Sequence, residues 1–318
     1  MRKTHYVFLL LVLYLSSMVF AYNGKIISKR ELKTESLRKI MKKNYKLFRP
    51  FAFLNKVKIY SITYLSDGLK VEGFLSIPRG KGKFPIIIYN RGGNKNFGAI
   101  TVKKLVNIIG RVSSWGYVVA ASQYRGNMGG EGKEEFGGKD VNDILNLISI
   151  VKKIKKADSN KIGLFGWSRG GMMTYLVLKK VDFIKAAVVG GGLSDLFMMM
   201  ESRPEMEDVY IENIPGYREN KEKVLKERSA VFWADKICKK TPILILHGTA
   251  DWRVIPQMSL KLAAEFLKVK QPFRLILFEG GDHALSEFGS EVFIQTKHWF
   301  KRFLKDEVPF PNLTPHGR

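Results

Sequence analysis

The chain holds a single cysteine, Cys238, so no disulfide can close within it, and no cysteine follows the apolar start to carry a lipid. Cys238 is expected to pack as a small hydrophobe near the start of a strand. Acidic residues are scarce beside basic ones, 29 against 54, which leaves a net charge of +25. Such an excess favours electrostatic adhesion to anionic surfaces, phospholipid or envelope polymers. No helix-turn-helix, zinc-ligand or aromatic-platform signature accompanies the charge, so nucleic acid is not an expected partner. Internal repeats and low-complexity tracts are also lacking. With 45% hydrophobic residues, the 318-residue chain reads as globular and long enough to bury a large core without staples.

Long apolar runs are missing too, apart from the first residues. Arg2 and Lys3 precede an uncharged run from Tyr6 to Phe20, which ends near the small residues Val19 and Ala21. The run is shorter than the roughly 20 residues that span a bilayer comfortably. A basic start, a short apolar core and a small-residue end describe a secretory signal peptide over 1–21, with an uncleaved N-terminal anchor as the alternative. On either reading the folded part is exported.

What is present organises in blocks. Residues 22–50 form an N-terminal segment in which lysines alternate with leucines and isoleucines up to Pro50, the pattern of a short amphipathic helix. Next comes VKIYSITYLSDGLKVEGFLSIP, which alternates around Asp67-Gly68, a two-residue hairpin signal, so the domain spanning 51–306 opens on antiparallel strands. The pattern then changes to apolar runs: PIIIYN, YVVAAS, KIGLFGWS, IKAAVVGG, PILILHG and FRLILFEG. Runs this uniformly apolar suit strands buried on both faces, and helical patterns lie between them. The fold class is therefore α/β, a mostly parallel doubly wound sheet. Residues 193–241 interrupt the alternation and are expected to form a helical cap insertion at the carboxyl edge of the strands, and 307–318 form a tail.

The chemistry is expected where KIGLFGW meets GGMMTYLVLKK. Gly166-Trp167-Ser168-Arg169-Gly170 fits a nucleophile elbow, a strained strand-to-helix turn that needs glycine two before and two after the serine. A serine hydroxyl becomes nucleophilic only when a histidine takes its proton and a carboxylate holds that histidine in the right tautomer. In the α/β-hydrolase fold those partners follow in the order acid, histidine, each after a later strand. Asp251 follows PILILHG and His283 follows FRLILFEG. Rivals exist: Asp195 lies just beyond an earlier strand, Asp235 follows a cap helix, His247 ends a strand, and His298 falls within the last helix.

Metal binding by His247, Asp251, Asp282 and His283 is a further alternative, but the spacing matches no ligand run and leaves Ser168 unexplained, so no metal or cofactor is expected. An oxyanion hole needs two donors. Arg169 offers its backbone N–H at a helix start, and the glycine-rich turn NRGGN after an early strand offers the second, with Asn90, Arg91, Gly92 and Gly93 as candidates.

Seven segments together resemble the prolyl oligopeptidase family of serine peptidases: YLSDGLKVEGFLSIP, NRGGN, QYRGNMGGEGKEEFGGKDVNDILNLI, GWSRGGM, ERSAVFWADKI, LILHGTADWRV and FEGGDHAL. The resemblance implies an α/β-hydrolase catalytic domain with Ser168, Asp251 and His283 as triad, acting on short peptides. A carboxylesterase acting on small esters is the nearest alternative, and an inactive hydrolase fold that binds anionic envelope material is the non-enzymatic one. Two features depart from the family. Larger members carry a β-propeller, for which 318 residues leave no room. Where many members hold a tyrosine or histidine as oxyanion donor, this chain has Arg91, whose backbone amide or guanidinium would have to serve.

Overall fold

The structure, a computed structural model, describes residues 24–45 and 51–317. The expected signal peptide and the end of the N-terminal segment at Pro50 lie outside the described residues. Among those described, no helix is long and apolar enough to cross a membrane.

One nine-stranded sheet organises the molecule. In chain order its strands are β1 (Ile26–Leu32), β2 (Val57–Ser66), β3 (Leu69–Pro78), β4 (Phe84–Asn90), β5 (Val118–Ser122), β6 (Ala157–Trp167), β7 (Ala186–Gly190), β8 (Ile243–Gly248) and β9 (Phe273–Phe278). They lie side by side as β1-β2-β3-β5-β4-β6-β7-β8-β9. The first three and the β3–β5 contact are antiparallel; from β5 to β9 all neighbours are parallel. Asp67 and Gly68 make the β2–β3 turn with φ of 50° and 80°, the left-handed pair a type I′ hairpin requires.

The N-terminal segment corrects one expectation. Residues 22–50 are not helical throughout, because Ile26–Leu32 pairs antiparallel with β2, and among the described residues of this segment the helix is Thr34–Tyr45 (α1). The edge of β2 offers a row of unpaired backbone groups, and pairing there outweighs the weak helical pattern of IISKREL. A second difference concerns β9. It is an edge strand and only half buried, unlike β4, β5, β7 and β8, which are buried along nearly their whole length.

Helices cover both faces. A helical run over 102–114 (α2), π-helical from Leu105 to Gly110, packs with α9 (Gly289–Phe300) on one face. On the other lie α3 (Val141–Val151), α4 (Arg169–Lys180) and α8 (Gln257–Lys268). The insertion between β7 and β8 carries α5 (Leu196–Ser202), α6 (Met206–Asn213) and α7 (Tyr217–Arg228). Cys238 is half-buried just before β8, its thiol 3.7 Å from the carbonyl of Asp182.

This topology positions the site. Strand order reverses at β4, whose neighbours are β5 on one side and β6 on the other, and ligands bind at the carboxyl end of such a switch point. Asn90 pairs with Gly166, so the turn after β4 and the serine after β6 emerge side by side.

Candidate active site

Ser168 sits between β6 and α4 with φ 59° and ψ −127°, a conformation that costs a side-chain-bearing residue about 1–3 kcal/mol. Its surroundings hold it there. The Ser168 N–H donates to the Gly190 carbonyl at 2.9 Å, and its carbonyl accepts from the N–H groups of Gly171 at 2.8 Å and Leu193 at 3.2 Å. The flanking glycines are needed for close approach: a Cβ on Gly170 would lie 1.9 Å from the Asn90 carbonyl oxygen, and one on Gly166 would lie 2.2 Å from that of Gly170.

Asp251, after β8, and His283, after β9, meet: His283 Nδ1 lies 2.7 Å from Asp251 Oδ2. The other carboxylate oxygen accepts the N–H groups of Arg253 at 2.9 Å and Val254 at 3.0 Å. Burial pushes the Asp251 carboxyl up, but hydrogen bonds from His247 and His283, the charge of His283 and the Val254 N–H outweigh it and hold the group well below the usual carboxylate range. Ser168 and His283 line the same cavity of about 640 Å³. Among the described residues no hydrogen bond joins the Ser168 hydroxyl to the imidazole. In ligand-free sites such bonds are often long and tighten only when substrate binds.

Of the other candidates, Asp195, Asp235, Asp282 and His298 do not line this cavity. Asp195 caps α5, accepting from Phe197 and Met198, and pairs with Lys261 at 2.7 Å. Asp235 lies in a short 3-10 turn, and His298 is exposed on α9. Asp282 caps its own loop through the N–H groups of Ala284 and Ser286. No group of three or more metal-ligating side chains is found among the described residues.

Two contacts were not legible in the sequence. His247 is fully buried, with Nδ1 2.6 Å from the Ser259 hydroxyl, Nε2 2.7 Å from the Val254 carbonyl and the same Nε2 3.2 Å from Asp251 Oδ2. Because a carbonyl can only accept, Nε2 carries a hydrogen toward Val254. Trp167, the last residue of β6, donates its indole N–H to the His283 carbonyl at 3.0 Å, tying the histidine loop to the elbow. A strand-end histidine signals packing, and an indole two loops away gives no sequence pattern at all.

On the oxyanion side, the Arg169 N–H stands at the first turn of α4, where no intrahelical acceptor exists. The Arg169 guanidinium is buried and donates to the Gly93 carbonyl at 3.0 Å, to Glu134 at 3.0 Å and to Asp140. Glu134 also accepts the Lys95 N–H at 2.8 Å, so the 91–98 turn is clamped to the elbow. Of the two donors expected at Arg91, the guanidinium is withdrawn. It is buried and donates to Gln123, Lys95, Gly92 and Phe97 carbonyls rather than to the cavity, and burial with the nearby charge of Arg169 lowers its pKa to about 10. Gly92 packs against Ser168, since a Cβ there would lie 2.9 Å from that of Ser168.

The prolyl oligopeptidase family model matches residues 107–307. The chain is 32% identical over 217 residues to the uncharacterized peptidase YtmA of Bacillus subtilis, covering 68% of this chain and 82% of that one. It is 27% identical over 243 residues to the uncharacterized peptidase YuxL of the same organism, covering 70% of this chain but only 35% of the relative. An acylaminoacyl peptidase of Pyrococcus horikoshii superposes with a TM-score of 0.67 at 23% identity, covering 81% of this chain and 44% of that one. That likeness carries the α/β-hydrolase fold. With the family model over most of the folded part and a relative matched along most of its length, the chain belongs to the prolyl oligopeptidase family of serine peptidases.

Proposed function

We propose that the protein hydrolyses short peptides through an acyl-enzyme on Ser168, with Asp251 and His283 completing the triad. The observation that carries this reading is the 2.7 Å hydrogen bond between Asp251 and His283 Nδ1, made at the wall of the cavity that the strained Ser168 also lines. Asp251 fixes the tautomer with hydrogen on Nδ1, leaving Nε2 to accept the serine proton. Oγ then attacks the carbonyl carbon, and the oxyanion is received by the Arg169 N–H and a backbone N–H of the 91–93 turn. As the C–N bond breaks, His283 returns the proton to the departing amine. Water, deprotonated by the same imidazole, releases the acid and restores Ser168.

The apolar cavity walls suit an acyl portion with hydrophobic side chains. The basic start and uncharged run over 2–20 support export, with adhesion of the net charge of +25 to anionic envelope material. Labelling with a fluorophosphonate probe tests the nucleophile: wild type reacts and Ser168→Ala does not. Assay of peptide anilides beside aryl esters tests the substrate. Turnover of esters alone would make the protein a carboxylesterase, and wild type that neither labels nor turns over would leave a binding protein.

A further inference from the structure

The cavity runs across the carboxyl edge of the sheet, so its two halves have different walls. Phe136, Leu193, Met199 and Val254 belong to the core on the cap side. Tyr89, Phe165, Trp167 and Val292 belong to the opposite side, where α2 and α9 pack together through Trp115 on Phe293 at 5.9 Å and Arg111 over Phe293 at 4.7 Å. His283 is tied to this second side by Trp167, and its loop leads into α9. A leaving group takes its proton from His283, so it departs into the chamber between α2 and α9.

Among the described residues that line this chamber, one is a cation paired with no carboxylate. Lys104 lines it at the start of α2, with Asn107 and Ile108 further along the same helix. Its half-buried ammonium donates to the Gly98 carbonyl at 2.5 Å and pairs with no carboxylate among the described residues. Burial, with the charge of Arg91, holds it below the ordinary lysine range. An unpaired ammonium in a largely apolar wall is costly to keep and gains most from an anion brought to it. Of the cap-side cations, Arg203 is paired with Glu205 at 2.8 Å, while Arg253 pairs with no carboxylate among the described residues but has its charge stacked on the Trp252 ring at 4.8 Å.

Resting on the hydrolytic reading above, we propose that Lys104 receives a carboxylate carried by the leaving group, so that the substrates are short peptides whose free C-terminus lies just beyond the scissile bond. A cavity of about 640 Å³ is of a size to enclose a few residues.

The test uses two peptides identical except that one ends in a carboxylate and the other in a carboxamide, with an aryl ester as an independent substrate. Wild type is expected to prefer the acid by about ten- to hundredfold in kcat/KM, the scale of a charge-assisted hydrogen bond. In Lys104→Met the ratio should fall to near one, and in Lys104→Arg it should stay well above one. Fluorophosphonate labelling of each variant reports an assembled site. A wild-type ratio near one, or a preference that survives in Lys104→Met, overturns the subsite while leaving the triad standing. So does turnover of the ester with neither peptide. If wild type turns over none of the three, the hydrolytic reading itself falls and takes the subsite with it.

Discussion

His247 and His283 both reach the same oxygen of Asp251, one from the core and one from the cavity. The core imidazole has both nitrogens occupied, by the Ser259 hydroxyl and the Val254 carbonyl, and its side chain has no exposure. The cavity imidazole has only Nδ1 engaged, and its side chain is 19% exposed. The same chemical group is thus a fixed brace in one place and, on the proposed mechanism, a proton carrier in the other. What separates the roles is whether the second nitrogen is spoken for.

Three substitutions sharpen that contrast. Asp251→Asn removes the shared anchor and should cut kcat by about 10⁴ with the fold intact, read in steady-state kinetics. Its second signature is in stability. The Asp251 carboxyl is depressed in the folded state, so its contribution is full above the unfolded value of about 3.9 and is lost as pH falls through the folded one. Wild type should therefore lose stability relative to Asp251→Asn as the medium is acidified below about pH 4, measured by denaturant titration.

His247→Phe keeps the ring but strands the Ser259 hydroxyl and the Val254 carbonyl in the core. The expected loss is about 2–4 kcal/mol of stability, with turnover reduced roughly tenfold by a loosened carboxylate. A loss of turnover equal to that of Asp251→Asn would show that the core imidazole is part of the proton path. His298→Ala, exposed on α9, should change melting by no more than about 0.5 kcal/mol and leave kinetics as they are.

The parts of this molecule that were legible in its sequence are those where one local rule decides. Gly166 and Gly170 announce the elbow because backbone atoms leave no room for a side chain there, and Asp67-Gly68 announces its hairpin because the turn demands positive φ. The buried strands declare themselves as unbroken apolar runs. β1 stayed hidden because an exposed edge strand need not alternate, and its pairing is decided by β2. At Arg91 two donors stayed open, because the chain shows a guanidinium beside the elbow but not the four carbonyls that absorb it. The brace from His247 and the tether from Trp167 depend on distant segments meeting, which no window of sequence encodes.

His283, the general base of the proposed mechanism, follows β9, the half-buried margin of the sheet, where hydrogen bonds open most readily. Yet its loop hangs from the indole at the end of β6 and from the Ala250 N–H, which donates to the Gly281 carbonyl at 3.1 Å. Peripheral fraying therefore does not set the imidazole adrift, and heat inactivation should coincide with the melting of the central strands rather than precede it.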